Sequence, residues 1–367
     1  MCVDMCGDER KRKNTLSPSS FKYYRNSSQV SVSVCVGHRK KNMVEMTVPV
    51  SEVLLQPWHN AGHLVLLFAV FFWLTQLLSY RIGKLVVPGF STLTRQQQSE
   101  FAVRIVAALH CVLSFATIPG YLIPAWENSL IYEAPADAII PRFFDSIGLL
   151  QPPVVPGTDG PVRFHAGLMS VGASLGVGDA EERLVSEHYE YSPVSQLFFA
   201  VTAGYFLWDI FISISEGWGA FFIAHAFASF GVFYSSLYPF LHYFGRYFHG
   251  VFEVSTLCLH LQELLSLVKL DSSPLYGVIR GVFVISFVLV RVLLGTYTSY
   301  ALWVNCINLM SHREVHSVAV VVFVLVADIV VMSLQYAWFF EIVRKVGQMV
   351  MGQPQPADAA AKEKKAT

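Results

Sequence analysis

The sequence predicts an all-α, polytopic membrane protein, a bundle of six to seven transmembrane helices. Two features of composition carry this prediction: 54% of the 367 residues are hydrophobic and only 14% are charged. Soluble domains usually carry about 25% charged residues. The formal net charge is zero, and no basic recognition module is present, so the sequence gives no indication of nucleic-acid binding.

Seven apolar stretches have the length of about 20 residues that a helix needs to cross a bilayer. They are residues 62–80, 101–123, 195–215, 219–240, 248–268, 275–301 and 317–341. The second is the least regular, because it contains Arg104 and His110. Only Glu216–Trp218 separates the third stretch from the fourth, so we expect these two to form a tight helical hairpin.

Polar segments surround and interrupt a transmembrane domain that we place at residues 62–345. Residues 1–60 are basic and rich in serine without a helical period, which predicts a disordered tail. Residues 124–194 form a long connection rich in proline, glycine and acidic residues, which we expect to be mobile and lumenal. Residues 346–367 form the C-terminal tail.

The distribution of lysine and arginine predicts the orientation in the membrane. Residues 42–61, before the first stretch, contain neither, whereas Arg81, Lys84 and Arg95 follow that stretch. Arg344 and Lys345 follow the last stretch. Basic residues close to the span ends face the cytosol. With seven spans, the N-terminus is therefore predicted to be lumenal and the C-terminus cytosolic.

The last four residues are Lys364-Lys365-Ala366-Thr367. Lysines at the third and fourth positions from a cytosolic C-terminus resemble the dilysine signal that retrieves membrane proteins to the endoplasmic reticulum. A basic tail that only improves solubility is the alternative. The retrieval interpretation predicts a multi-pass protein of the endoplasmic reticulum membrane.

A narrow polar stripe marks the fifth stretch and indicates a functional site. Its members are His249, Glu253, Thr256, His260 and Glu263, which share one face of a helix. Each ionisable group inside a membrane costs about 2.5–3.5 kcal/mol on insertion scales, so such groups are functional candidates. His249 and His260 are separated by about 16 Å of helical rise, too far to share one metal ion. We expect no metal and no cofactor.

Two pairs of ionisable residues are expected inside the bundle. Glu253 should face Arg291 of the sixth stretch, either to stabilise the fold or to hold a lipid head group. Asp209 and His225, on the two sides of the hairpin, should form a hydrogen-bonded pair, either beside a head group or as a structural lock. The Thr256 hydroxyl is expected to bond the preceding turn of its own helix.

Four segments in the right order give the chain a family resemblance. Gly204-Tyr-Phe-Leu-Trp-Asp209, Phe252-Glu-Val-Ser-Thr256, Phe287-Val-Leu-Val-Arg291 and Leu334-Gln-Tyr-Ala-Trp-Phe339 resemble the TLC-domain family, which includes the ceramide synthases. The resemblance covers about residues 62–345 and is nearest to the non-synthase branch. It implies a central, lipid-sized cavity. In ceramide synthases paired histidines carry acyl transfer, whereas here His225 is followed by Ala226.

The sequence therefore favours a non-catalytic protein that binds or senses a sphingoid, acyl or phospholipid and influences membrane lipid composition. A lipid N-acyltransferase with His225 and Asp209 as catalytic candidates is the alternative, and a transporter or channel is the third hypothesis. The residues expected to line the cavity or bind the lipid are Tyr205, Asp209, His225, Glu253, Thr256, His260, Arg291, Gln335 and Trp338.

Replacing both Lys364 and Lys365 with serine should release the protein from the endoplasmic reticulum. The expected result is a shift of the immunofluorescence signal to later compartments, because the retrieval signal would be lost. An unchanged location would leave only the solubility interpretation.

Protease protection in sealed microsomes provides the control, since the signal acts only on a cytosolic tail. An antibody epitope within residues 346–367 should be digested, and one within residues 1–49 should be protected. Digestion of both epitopes would show that the predicted orientation is wrong.

Overall fold

Helices joined by short turns make up the chain that the computed structural model describes, which comprises residues 50–123, 129–150, 188–189, 191–311 and 315–351. No β-strand occurs within these residues. The all-α prediction is therefore confirmed. The N-terminal tail up to residue 49, most of the long connection and residues 352–367, with the dilysine sequence, lie outside the described part.

The helices are, in chain order, α1 (Val50–Val86), α2 (Arg95–Ser114), α3 (Ile118–Leu122), α4 (Ile139–Ser146), α5 (Pro193–Ser215), α6 (Ala220–Ser236), α7 (His242–Arg246), α8 (Glu253–Leu267), α9 (Pro274–Ser286), α10 (Gly295–Ser311) and α11 (Val318–Val350). Two π-helical segments, Tyr247–Val251 and Phe287–Leu294, join α7 to α8 and α9 to α10. Each pair therefore forms one continuous helix with a widened turn.

Five helical stretches in the described part are long and apolar enough to cross a membrane. They are Leu54–Val86, Arg95–Leu122, Pro193–Ser215, Pro274–Ser311 and Val318–Gln348. The protein is therefore a multi-pass membrane protein. Helix α6 is apolar but has only 17 residues, and α8 carries the polar stripe. That α6 and the α7–α8 run also cross the membrane stays a prediction.

Hydrogen bonds between helix ends show that successive helices run in alternating directions. At one end, the Asn60 amide donates to the carbonyl of Leu237 at 2.9 Å, which joins the start of α1 to the end of α6. At the opposite end, Ser99 of α2 donates to the carboxylate of Glu216, just after α5, at 2.8 Å. The last helix, α11, terminates at this second end, and we therefore call it the carboxyl end of the bundle.

Helix α1 begins twelve residues earlier than the predicted first span. Pro57 lies inside it, and Ala61 has non-helical dihedral angles of φ −151° and ψ 15°. The break at Ala61 follows Pro57 by one turn, and the missing N–H group and the ring of Pro57 also disturb the turn that precedes it. The helix thus has a short first part before the predicted span. Residues 50–60, which we expected to belong to a disordered tail, are helical.

Part of the long connection is packed rather than mobile. Residues 129–150 contain α4, and the apolar side chains of Ile131, Phe144 and Leu149 are buried in the core beside α1 and α5. The Tyr191 hydroxyl donates to the carbonyl of Leu149 at 2.6 Å. The expectation of mobility is wrong for this part. Residues 124–128, 151–187 and 190 lie outside the described part.

Helices α1 and α5 approach each other closely at Gly204. A Cβ atom built there would lie 2.7 Å from the Val65 carbonyl oxygen and 2.9 Å from the backbone nitrogen of Ala69. Small residues allow such close backbone contact between membrane helices, where dispersion forces replace the hydrophobic effect. Gly204 therefore sets the distance between the two helices.

Replacing Gly204 with alanine should lower the free energy of unfolding by about 1–3 kcal/mol, because the backbone of α1 must move away. Thermal unfolding in detergent micelles measures this as a lower Tm. Gly277→Ala on α9 is the matched control, since its added Cβ would meet no atom within 4 Å. Alanine there should raise the Tm slightly, through helix propensity. Equal effects at both positions would contradict the close-contact interpretation.

Candidate functional site

A cavity of about 580 Å³ lies between α2, α5, α6, α8, α9 and α11. Its volume falls within the range of about 300–1,000 Å³ that is common for small-molecule sites. Eight of the nine predicted site residues line it: Tyr205, Asp209, His225, Glu253, Thr256, His260, Arg291 and Trp338. The ninth, Gln335, is fully buried and accepts a hydrogen bond from Arg291.

The polar stripe of α8 faces α2 and the cavity. The Cys111 thiol donates to Glu253 Oε2 at 3.1 Å. Two turns closer to the carboxyl end, an Arg104 guanidinium nitrogen lies 3.5 Å from His260 Nδ1. Because these two contacts connect α2 and α8 in antiparallel order, the stripe is held inside the bundle and away from lipid.

Arg291 is the most extensively bonded side chain in the site, and only 7% of its surface is exposed. Its Nε donates to the Ser255 hydroxyl at 2.8 Å, and its Nη1 donates to Gln335 Oε1 at 2.9 Å. Its Nη2 donates to the Phe252 carbonyl at 3.2 Å and also to the Thr256 hydroxyl. The guanidinium therefore finds most of its partners within the protein.

Glu253 and Arg291 are neighbours, as expected, with 3.9 Å between Glu253 Oε1 and Arg291 Nη2. This distance is longer than that of a hydrogen-bonded ion pair. Glu253 thus contributes charge, whereas the hydroxyl, amide and carbonyl groups provide the direct contacts. The Thr256 expectation is corrected, because its hydroxyl accepts from Arg291.

Asp209 and His225 both reach the cavity but form no hydrogen bond with each other within the described part, which corrects the expected pair. Asp209 is only 9% exposed. His225 Nδ1 is buried without a partner, and its ring lies between Phe206 and Trp338, at centroid distances of 5.7 and 6.1 Å. Neither residue locks the hairpin.

Ala226, which follows His225, is directed away from the cavity. It is completely buried in the apolar cluster formed by α1, α5 and α6, together with Ala61, Val65 and Phe206. Consecutive helical residues point about 100° apart. The position that would carry a second histidine is therefore part of the core.

A smaller cavity of about 80 Å³ adjoins the first and is lined by His110 and His249. The Thr202 hydroxyl lies 3.1 Å from His110 Nε2, and Ser114 Oγ lies 3.0 Å from His249 Nε2. The sequence flagged His110 only as an irregularity of its span. Its role depends on neighbours from other helices, which spacing along one helix does not reveal.

One group of potential metal ligands is present in the described part. Ligand atoms of His110, Cys111 and Glu253 lie within 4.8 Å of one another. Spacing along one helix could not predict this set, because His110 and Cys111 lie on α2 and Glu253 lies on α8. The Arg291 guanidinium, 3.9 Å from Glu253, adds positive charge beside it. That charge opposes cation binding, so we assign no metal here.

Sequence reasoning also missed charged residues near the carboxyl end of the cavity. Arg104, Arg280, Glu341 and Lys345 line it together with the stripe residue Glu263. Arg104 forms an ion pair with Glu100 at 3.1 Å, and Lys345 with Glu341 at 3.5 Å. The sequence did contain a signal for Arg280, because its spacing from Arg291 places both arginines on one face of the same helix.

The fold and the cavity define a class of protein, a polytopic helical membrane protein with an amphipathic internal site. A family model for the TLC domain matches residues 164–344. An uncharacterised TLC domain-containing protein of Schizosaccharomyces pombe is 26% identical over 167 residues, 45% of this chain. The chain spans 56% of that relative's length. No solved structure matches. Residues 164–344 therefore form a TLC domain, and both matches support membership of the TLC-domain family.

Arg291→Met should lower the free energy of unfolding by about 3–5 kcal/mol, because it leaves several buried polar groups without their partner. Glu253→Gln should cost about 1 kcal/mol or less, since the four hydrogen bonds of Arg291 remain. Urea unfolding in mild detergent compares the two variants. In the double variant, stability should stay close to that of Arg291→Met. Recovery to the parent value would show that the Glu253–Arg291 pair dominates.

Proposed function

We propose that the protein binds a membrane lipid in the cavity and influences membrane lipid composition without converting the lipid chemically. The amphipathic cavity carries this proposal. Its wall combines apolar side chains such as Phe206, Phe283 and Phe287 with the polar groups of Asp209, His225 and Arg280. A ligand with an apolar chain and a polar head group satisfies both kinds of wall.

The arrangement of the helices supports entry of such a ligand from the membrane. Helix α9 continues through the π-helical segment Phe287–Leu294 into α10. The π-helical segment and α10 make most of the contacts with α11. Closer to the carboxyl end both helices line the cavity, with Phe283 and Val284 on one side and Ile342 and Val346 on the other. A gap between two membrane helices with these apolar side chains on both sides would fit a lipid chain.

We further propose the endoplasmic reticulum membrane as the location, with a lumenal N-terminus and a cytosolic C-terminus. In this orientation the charged end of the cavity lies near the cytosolic leaflet. Arg81, Lys84 and Arg95 are at the same end of the bundle, in agreement with the preference of basic residues for the cytosolic side.

Lipid N-acyl transfer is the second candidate, because His225 and Asp209 both reach the cavity. A histidine that acts as a general base is normally oriented by a hydrogen bond from its second nitrogen. His225 Nδ1 has no such partner in the described part, and position 226 is an alanine in the core. These observations favour binding over catalysis. Transport along the polar stripe has less support, since no internal repeat is evident.

Filling the cavity should remove the lipid that co-purifies with the protein. Val284→Trp places a large side chain on the cavity wall. Val282→Trp on the same helix is the control, because Val282 is 47% exposed and does not line the cavity. Lipid mass spectrometry after gentle purification should show loss of most bound lipid only for Val284→Trp, with similar Tm values confirming that both variants fold.

Equal lipid content in the two variants would contradict the proposal. The purified parent, incubated with a sphingoid base and an acyl-CoA, should form no ceramide. Ceramide formation by the parent that is lost in His225→Ala would contradict the binding proposal and support the lipid N-acyltransferase alternative.

A further inference from the structure

We propose that the lipid held in this cavity carries a phosphocholine head group, with its quaternary ammonium beside Asp209 and its phosphate towards Arg280. This inference rests on the proposed lipid-binding function and specifies the ligand's chemistry. It starts from Asp209 and Arg280, two ionisable side chains that face the same cavity and, like Glu263, form no hydrogen bond or ion pair in the described part of the protein.

Asp209 is the first of these side chains. It is nine-tenths buried and lines the cavity, yet none of the described residues donates a hydrogen bond to it or forms an ion pair with it. A buried carboxylate without a partner is unfavourable. The cations Arg104, Arg291 and Lys345 are already engaged by groups of the protein. A cation supplied by the ligand would complete the site.

Arg280 is the second. It lines the cavity from α9 and forms no hydrogen bond or ion pair within the described residues. Asp209 lies six residues before the end of α5, and Arg280 lies six residues after the start of α9. At 1.5 Å per residue, each is about 9 Å from the carboxyl end of the bundle. The two opposite charges therefore lie at a similar depth.

Asp209 and Arg280 form no direct ion pair with each other, since more than 4.0 Å separates their charged groups. A zwitterionic ligand fits this arrangement better than an anion or a cation alone. Its ammonium faces the carboxylate and its phosphate faces the guanidinium, which binds phosphate well. The deeper Arg291 is a poor alternative for the phosphate, because its N–H groups donate to Ser255, Thr256 and Gln335.

An aromatic wall in the same cavity as Asp209 favours a quaternary ammonium over a primary one. Trp218, Phe222 and Trp338 line the cavity in a continuous row, with centroid distances of 5.8 Å between the first two rings and 6.4 Å between the last two. Tyr205, one turn before Asp209, also lines the cavity. Aromatic faces attract quaternary ammonium groups strongly when water is excluded. A primary ammonium would need several hydrogen-bond acceptors, and the wall offers few.

The test uses the full-length protein in nanodiscs of equal parts phosphatidylcholine, phosphatidylethanolamine and phosphatidylglycerol, with bound lipids measured by native mass spectrometry. The parent should enrich phosphatidylcholine about tenfold over phosphatidylethanolamine, the effect of one desolvated cation–aromatic contact. Asp209→Asn should abolish this preference. Arg280→Gln should weaken binding of all three phospholipids without changing their ratio.

Matched controls are Asp145→Asn and Arg81→Gln, because both residues are exposed and lie outside the cavity. If Asp209→Asn fails to fold, a second experiment with the parent protein alone tests the inference. It compares the binding of phospholipids whose head-group nitrogen carries zero, one, two or three methyl groups. Binding should then rise with each methyl group.

The outcomes separate this inference from the proposed function. Bound lipid without head-group preference, a preference for phosphatidylethanolamine, or a choline preference that survives in Asp209→Asn would overturn the phosphocholine assignment and leave lipid binding intact. A parent protein that holds no lipid in any nanodisc would overturn both.

Discussion

The buried guanidinium of Arg291 is the interaction on which the arrangement of the inner helices depends. It lies in the π-helical segment Phe287–Leu294 and contacts Ser255 and Thr256 of α8 and Gln335 of α11. Lipid chains cannot replace these contacts, because hydrocarbon offers no hydrogen-bond acceptors to the guanidinium. The three helices must therefore meet at this point for the charge to be tolerated within the membrane.

This constraint separates the polar groups of the cavity into two kinds. The deep groups, Arg291 and Glu253, are used by the protein to hold its own helices together. The groups nearer the carboxyl end, Asp209 and Arg280, are left without partners in the described part. A polar residue inside a membrane is thus not automatically a ligand site. Its unused hydrogen-bonding capacity distinguishes the two roles.

Hydropathy predicted the apolar membrane helices, and the polar stripe predicted Glu253, Thr256 and His260 in the cavity, because a polar stripe in an apolar helix must face the bundle interior. The other five predicted residues that line the cavity came from the expected pairs of ionisable residues and from the family resemblance. Contacts between helices were harder to predict. The hydrogen bond of Cys111 to Glu253 and the lack of one between Asp209 and His225 depend on how far each helix is rotated. Spacing along one helix contains no such information. The early start of α1 and the packing of residues 129–150 depend likewise on tertiary contacts.

The unpaired charges also connect binding to the stability of the bundle. A ligand that binds the folded protein and not the unfolded chain stabilises the fold in proportion to the logarithm of its concentration over Kd. In the proposed complex, the ligand would supply the partner that Asp209 lacks. Under the proposed function, the folded population would therefore depend on the surrounding lipid. Sensing of membrane composition then needs no catalytic step, which is consistent with Ala226 occupying a core position beside His225.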